Sequence, residues 1–453
     1  MSLSIVILAA GKGKRMYSDR PKVLHQLAGK PLLDHVYDTA TQLSHRQIYV
    51  VYGHGGDEVQ KECSYSDVNW VCQEEQLGTA HAVQQALPDI PDEDDVLILY
   101  GDVPLITEET LQALVNASQH SGIALLTAYV ENPKGYGRII RDEINNILGI
   151  VEEKDANDEQ RRICEINSGF MVAKAEYLKD WIANIENNNS QQEYYLTDIV
   201  VMAVKQGLEV KSVLADSSME VQGINNRVQL AEAERYFQIV QAHHLMQSGV
   251  GLMDPSRFDL RGDLDVGTDT VFDINIIIEG RVTIGNHVSV GSNCIIKDST
   301  IADHVTILPN SIIENAVIGN DCRIGPFARI RPDTTLANDV HIGNFVEIKK
   351  TTIGNGTKVN HLSYIGDSHV GEQTNIGAGA ITCNYDGANK HLTTIGDNVF
   401  VGSDVQLIAP VNVESGATIA AGTTVSKNVS GKSLAITRTE QREVKNWKRP
   451  KRQ

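Results

Sequence analysis

The sequence predicts a two-domain chain: an α/β Rossmann-like domain with an open, mostly parallel sheet, a long helix, and then a hexapeptide-repeat parallel β-helix. Three observations predict it. Ile318, Ile324, Ile330, Leu336, Ile342 and Ile348 stand six residues apart, as do Ile395, Val401, Leu407, Val413, Ile419 and Val425. Ahead of them, apolar strand-like runs alternate with helical patterns over residues 1–227. Between the two regions, residues 228–248 carry apolar side chains at helical spacing and stop at Ser248-Gly249.

A period of six suits neither an α-helix nor a heptad coil. It suits short strands separated by tight corners, with one aliphatic side chain per step turned inward and Gly or a small polar residue making the turn. Ile284-Gly285, Val290-Gly291, Ile342-Gly343 and Val401-Gly402 follow that rule. Residues 250–275, with Pro255, Gly262 and Gly267, read as an irregular first coil. The domains expected are therefore 1–227, a linker helix over 228–248, and 249–453.

At 453 residues the chain exceeds one ordinary core. A net charge of −18 speaks against a general nucleic-acid or membrane-surface binder, so an anionic substrate has to be held by local cations and backbone N–H groups. The N-terminal apolar run precedes its basic residues, the wrong order for a secretion signal. Six scattered cysteines without a C-x-x-C pair read as reduced thiols, and a cytoplasmic protein is expected.

Residues 3–10 read as a buried strand running into Gly11-Lys12-Gly13-Lys14-Arg15. Such a loop brings backbone N–H groups to phosphate oxygens, with Lys12 and Arg15 adding charge, although many strand–turn junctions carry G-x-G for backbone reasons alone. Lys22, behind Pro21, reads as a second phosphate clamp or as a surface lysine. Gln73 offers a paired donor and acceptor to a base edge; Gly78 would let a flat ring approach, while Gly78-Thr79 equally suits a helix start. Asp102, just past a strand ending in Tyr100, is either a Mg²⁺ ligand or the cap of a helix beginning near Thr107. Glu152 and Asn167 suit sugar hydroxyls or merely cap structure. A second ligand for that metal could come from residues 222–227, which end the domain.

In the ladder the departures from aliphatic character carry the information. Arg331, Lys349 and roughly position 367 should stack on one wall, with His361 close by, forming a basic column beside a potential general base. Taken singly, each reads equally well as a solvated surface residue. The ladder breaks over residues 378–392, an insertion expected on the binding face. After Ser430, eight Lys and Arg (Lys432 to Arg452) stand against two Glu, either a solvated tail or a partner for polyphosphate.

In order, the motifs LAAGKGKRM, PKVLH, QLGTAHA, YGDVPL, EINSG, GINNR, RIRP, NFVEIKK, NHLSYIGD, NIGAGAITCNYDG and VGSDVQLIAPV give the chain a resemblance to a known family. It resembles the bacterial bifunctional N-acetylglucosamine-1-phosphate uridylyltransferases / glucosamine-1-phosphate N-acetyltransferases over nearly all of residues 3–440. Lys14 departs from the small hydroxylated residue expected there. The resemblance implies a nucleotidyltransferase domain, a left-handed β-helix, a homotrimer, and synthesis of UDP-N-acetylglucosamine for peptidoglycan and lipopolysaccharide. It implies UTP and N-acetylglucosamine-1-phosphate as substrates at Leu8, Ala9, Ala10, Gly11, Gly13, Arg15, Lys22, Gln73, Gly78, Thr79, Tyr100, Gly101, Asp102, Gly137, Glu152, Asn167 and Asn225. Mg²⁺ would sit on Asp102 and Asn225.

For the second reaction the resemblance implies His361 as base, Glu347 orienting its ring, and the Ser403 N–H stabilising the oxyanion. Arg331, Lys349, Tyr364, Asn375 and Lys390 would hold glucosamine-1-phosphate. Ala378, Asn384, Tyr385, Ser403, Ala421 and Arg438 would take acetyl-CoA, the co-substrate. Two rivals remain: a nucleotidyltransferase whose β-helix only assembles or regulates, and a non-catalytic scaffold.

Overall fold

The computed structural model describes residues 2–11, 13–53, 56–119 and 121–450. Lys12 of the glycine-rich loop and Lys451 and Arg452 of the tail lie outside the described residues. The chain divides into two compact units, Met1–Phe237 and Gln238–Gln453.

The first unit is built on a nine-stranded sheet. Its strands are β1 (Leu3–Leu8), β2 (Gln47–Tyr52), β3 (Val68–Cys72), β4 (Asp95–Tyr100), β5 (Ile123–Tyr129), β6 (Gly137–Arg141), β7 (Ile147–Val151), β8 (Glu165–Lys174) and β9 (Lys211–Leu214). The main path runs β9-β5-β8-β4-β1-β2-β3, with the β6–β7 hairpin attached to β8. β1 pairs in parallel with both β2 and β4, so the chain steps outward to β2 and β3 and then returns to the other side of β1. That reversal opens a crevice at the carboxyl ends of β1 and β4, where open α/β sheets bind ligands.

All six residues of β1 are buried. Ile5 and Ile7 join one apolar cluster while Val6 and Leu8 join another, because alternate side chains of a strand face opposite sides of its sheet. A strand covered on both faces thus reads as an unbroken apolar run. The helix after β4, α4 (Glu108–Ser118), is capped by Thr107, whose hydroxyl accepts from the Thr110 N–H at 3.3 Å. Asp102 is not that cap.

A long helix, α7 (Arg227–Gln247), is shared by the two units. Ala233 and Phe237 pack with Leu27, Leu32 and Ile224. At the next residue, the buried Gln238 carboxamide takes both backbone groups of Leu260, donating to its O at 2.9 Å and accepting from its N–H at 2.7 Å.

The second unit is a stack of parallel coils. One wall is an eleven-stranded sheet that starts at Gly251–Leu252, passes through Thr306–Ile307, Arg323–Ile324, His341–Asn344 and Lys358–His361, and ends at Leu434–Ala435. The other walls belong to a fifteen-stranded sheet that bends round a corner along unbroken strands such as Glu347–Ile353 and Tyr364–Val370. Every residue of the two six-step runs is buried in one continuous core.

Between those runs some steps at one corner are five residues long, as from Ile348 to Ile353 and from Ile365 to Val370. Coils in the middle of the stack are therefore seventeen or eighteen residues long: Thr306 pairs with Arg323, and Arg323 with His341. The expected stacking of position 367 on Lys349 is corrected by the same shortening, since Lys349 pairs with Gly366. The first coil is also more regular than its Pro and Gly content predicts. Phe258–Val266 pairs with Ile276–Ile284 at every position, because Pro255 lies in the turn before it and Gly262 (φ +143°) lies against the Gly280 backbone, where no Cβ fits.

Along one corner, side chains tie successive coils together. Asn286 Oδ1 accepts from Thr268 N–H, Asp303 from Asn286, Asn320 from Asp303, Asn338 from Asn320 and Asn355 from Asn338, all between 2.7 and 3.0 Å. Each coil thus satisfies a backbone donor of the coil before it.

Candidate functional site

In the first unit a cavity of about 550 Å³ opens at the crevice between β1 and β4. Of the residues singled out in the sequence, Leu8, Ala9, Ala10, Gly11, Lys22, Gln73, Gly78, Thr79, Tyr100 and Asp102 line it. So do Lys14, Gln76 and Glu193, which had no assigned role. Gly13 shapes the loop: its φ of +58° lies in the left-handed region, and a Cβ there would meet the Lys22 side chain at 2.7 Å.

The loop folds round a polar cluster. The Lys22 ammonium donates to Asp102 Oδ2 and, at 3.2 Å, to Asn225 Oδ1, which also accepts from Arg15 Nη2 at 2.9 Å. Lys22 and Asp102 are mostly buried. The surface-lysine reading of Lys22 therefore falls. One carboxylate oxygen and one amide oxygen converge on a single cationic group, an all-oxygen donor pair that suits Mg²⁺, which keeps several waters and leans on substrate phosphates. Among the described residues no group of three or more His, Cys, Asp or Glu forms a closed metal cage.

Gly78 serves a purpose that its sequence did not suggest. A Cβ at this φ of +125° would meet the Tyr194 carbonyl oxygen at 2.5 Å, so the glycine admits a neighbouring chain segment. That segment is tied down by Tyr194 N–H to Leu77 O (2.8 Å), by Ala80 N–H to Tyr194 O (3.0 Å), and by Leu196 N–H to the Thr79 hydroxyl (3.1 Å). Thr79 opens α3 (Thr79–Ala86), but its side chain braces the 194–196 segment and does not cap the helix. Gly101 is packed against Leu33 and does not line the cavity.

Gly137, Glu152 and Asn167 come together beside Tyr100. Asn167 pairs with Gly137, and β8 departs from regular register between Asn167 and Met171, an irregularity of the kind that re-aims side chains. A Cβ on Gly137 would stand 3.5 Å from the Glu152 carboxylate. Asn167 is buried and its Oδ1 has no partner among the described residues, a position in want of a donor such as a sugar hydroxyl. Burial pushes the Glu152 carboxyl up, the Thr197 hydroxyl at 3.0 Å opposes this, and Asp198 and Asp155 add to the rise. Burial likewise pushes the Tyr100 phenol up, with Glu152 and Asp102 reinforcing it, so Tyr100 remains a protonated donor. Glu152 also borders a second cavity of about 610 Å³ with Asp155, Tyr195 and Asp198.

In the second unit the expected residues gather at one corner of the stack. His361 pairs with Asn344 of the coil before it. At later levels of the same corner stand Ala378, Ser403 and Ala421, through Gly379 N–H to Leu362 O (3.0 Å), Asp404 N–H to Ala378 O (2.7 Å) and Gly422 N–H to Ser403 O (2.9 Å). An open cleft beyond them includes Ala421 and Arg438, whose Nη2 lies 3.5 Å from Ala421 O.

Round the corner lies the basic column. Arg331 donates to Glu347 Oε1 at 2.7 Å, and Glu347 pairs with Tyr364. The Lys349 ammonium beside Lys390 lowers the pKa of Lys390, as expected when two cations share a site, and Asp367 opposes the shift in part. Asn384, from the insertion, donates to Asp367 Oδ2 at 2.6 Å and reaches Tyr364 Oη at 3.4 Å. Asn375 pairs with Lys358 on the His361 wall, and Tyr385, exposed, forms a bridge to Lys390.

One expectation is corrected here. Glu347 does not orient the His361 ring: it is engaged by Arg331, and the His361 Nδ1 meets Asn344 Oδ1 at 3.0 Å. The ring stands on a different wall from Glu347, on the strand in register with His341–Asn344. Asn344 was missed because Asn is common at the corners of this stack.

Three family models match parts of the chain. Residues 5–163 match the MobA-like NTP transferase domain, residues 260–344 the GMPPB C-terminal domain, and residues 392–427 the bacterial transferase hexapeptide, six repeats. The chain joins an NTP transferase domain to a hexapeptide-repeat domain. Its parallel stack is consistent with a left-handed hexapeptide β-helix, and the pair of domains supports nucleotidyl transfer and acyl transfer. Among the described residues no helix is long and apolar enough to cross a membrane.

Proposed function

We propose that the chain makes UDP-N-acetylglucosamine in two steps. The second unit transfers acetyl from acetyl-CoA to the amine of glucosamine-1-phosphate. The first then transfers uridylyl from UTP to N-acetylglucosamine-1-phosphate and releases pyrophosphate. The observation that carries this reading is the corner on which His361, Ala378, Ser403 and Ala421 follow one another beside the Arg331–Lys349–Lys390 column. A purely architectural stack has no use for two lysines, Lys349 and Lys390, set close enough to disfavour each other's charge.

In acetyl transfer His361 Nε2 takes a proton from the attacking amine while Nδ1–H donates to Asn344. Arg331, Lys349 and Lys390 hold the sugar phosphate, Tyr364 and Asn375 flank it, and the thioester lies along Ala378, Asn384, Tyr385, Ser403 and Ala421, with Arg438 near the nucleotide end. The Ser403 N–H faces the developing oxyanion.

In uridylyl transfer the sugar phosphate attacks the α-phosphorus in line, and positioning and charge neutralisation carry the reaction. Lys22 and Arg15 steady the triphosphate, Gln73 meets the base, and Gly137, Glu152 and Asn167 take the sugar. Asp102 and Asn225 would hold Mg²⁺, which neutralises phosphate charge when bound. A homotrimer in the cytoplasm fits the reading. In its favour Phe327, Phe345 and Leu362, all exposed, form an apolar stripe beside His361 at corners with positive φ, the first two stacked at 5.3 Å.

The test is free-thiol release from acetyl-CoA with glucosamine-1-phosphate, beside pyrophosphate release from UTP. His361→Ala should lower the first by ~10²–10⁴-fold and spare the second, with Asp102→Ala doing the converse. Loss of both activities in either folded variant would overturn the two-site reading. Absence of thiol release by wild type would make the stack an assembly platform.

A further inference from the structure

Gln73, which meets the base in the reading above, is almost wholly buried, at 2% exposed. Its Nε2 lies 3.2 Å from the Gly78 carbonyl oxygen and 3.1 Å from His81 Nδ1. A carbonyl oxygen only accepts, so the NH₂ end of the carboxamide must face Gly78, and the orientation of the group is assigned by that contact. With one hydrogen committed to Gly78 and the other to His81, Gln73 keeps only its Oε1, which no donor among the described residues meets.

His81, on α3, faces a second carboxamide as well. Gln85 Nε2 stands 3.2 Å from His81 Nε2 and donates to His81 O at 3.0 Å. A neutral imidazole accepts at one nitrogen and donates from the other. Each carboxamide is held NH₂-inward by a carbonyl oxygen, so only one can donate to the ring: Gln73 is buried, whereas the half-buried Gln85 can give its second hydrogen to water. The ring therefore accepts at Nδ1.

We propose that His81 is a positioning residue for base selection: by accepting from Gln73 it fixes the carboxamide with its oxygen towards the cavity, which selects a pyrimidine that offers N–H at ring position 3 over one that offers a lone pair there. Uracil has that N–H; cytosine has the lone pair. Without His81 the Gln73 carboxamide is held by one contact and can turn, presenting N–H to cytosine instead. The inference rests on the nucleotidyl-transfer reading of this cavity and adds a residue which makes no contact with the base itself.

The experiment measures kcat/KM for pyrophosphate release from UTP and from CTP, with N-acetylglucosamine-1-phosphate and Mg²⁺, in the full chain. His81→Leu and His81→Phe, the latter keeping ring volume without an acceptor, should each lower the UTP:CTP ratio by about tenfold, the scale of one hydrogen bond. His81→Asn, whose Oδ1 stands where Nδ1 does, should keep the ratio within about threefold of wild type. A merely structural role would lower both rates together and leave the ratio alone. An unchanged ratio in whichever of the leucine and phenylalanine variants folds overturns the inference, as does equal loss in the asparagine variant. Wild type that does not discriminate UTP from CTP overturns it too, while wild type that turns over neither nucleotide overturns the parent reading.

Discussion

The Asn344–His361 contact gives a graded test of the proposed acetyl-transfer site. For Nε2 to act as a base, the proton of the neutral ring must sit on Nδ1, and the acceptor at 3.0 Å that keeps it there is Asn344 Oδ1. Asn344→Ala leaves the imidazole in place and removes only that acceptor. The pair is exposed to water, which replaces part of what is lost, so the cost is that of one net hydrogen bond, ~0.5–1.5 kcal/mol. At ~1.4 kcal/mol per decade this lowers kcat/KM for acetyl transfer by about 2- to 13-fold, well short of the ~10²–10⁴-fold expected for His361→Ala. Thiol release from acetyl-CoA reads both. Because Asn344 acts through the ring, adding Asn344→Ala to His361→Ala should cost nothing further. A further fall in the double variant would refute the reasoning, since Asn344 would then be acting on substrate directly. So would a single-variant loss as large as that of His361→Ala.

Two more outcomes follow from burial. Glu152 has a folded pKa above its unfolded value, so its contribution to stability is complete below the unfolded pKa of ~4.3 and is lost as pH rises through the folded one. Glu152→Gln should therefore raise the unfolding temperature of the first unit at pH 7 more than at pH 4, while weakening sugar-phosphate binding; an equal shift at both pH values would count against a buried, destabilised carboxylate. Burial also pushes the Cys63 thiol up to about 12, and Cys72 and Cys164 are exposed. Iodoacetamide at pH 8 should modify Cys72 and Cys164 in the native protein and Cys63 only after unfolding, as read by peptide mass; rapid native labelling of Cys63 would refute its placement.

The stack was legible because its constraint is local: one side chain per step has to enter a narrow core, and most steps use a fully buried aliphatic residue such as Ile330 or Val401. The five-residue steps were not, because nothing in the side chains between Ile348 and Ile353 announces that the corner takes one residue fewer. In the first unit Asp102 stood out as a charged residue just past a buried apolar strand, and Lys22 as one behind the fixed turn at Pro21. The reason for Gly78 was hidden, because the backbone that crowds it comes from the 194–196 segment, whose Leu196 bonds Thr79 from 117 residues away. The exchange of partners between Glu347 and Asn344 was equally out of reach. Which acceptor meets a histidine at a corner depends on whether the coil holds seventeen residues or eighteen, a difference of one position that the repeat itself conceals.

The side-chain ties between coils make the second unit additive along its axis, since each level is completed by the next. Distances within the proposed catalytic corner are then fixed by strand spacing: Ala421 lies three levels beyond His361, ~14 Å at ~4.8 Å per level. The distance from the first coil is a different kind of quantity. His361 stands on the seventh strand of its wall, six levels or ~29 Å from Gly251–Leu252. Removing one complete coil between them would shorten that interval by a single level and bring the corner down intact. The protein thus carries a ruler whose upper marks are set by chemistry and whose lower marks are set only by how many coils the chain has accumulated.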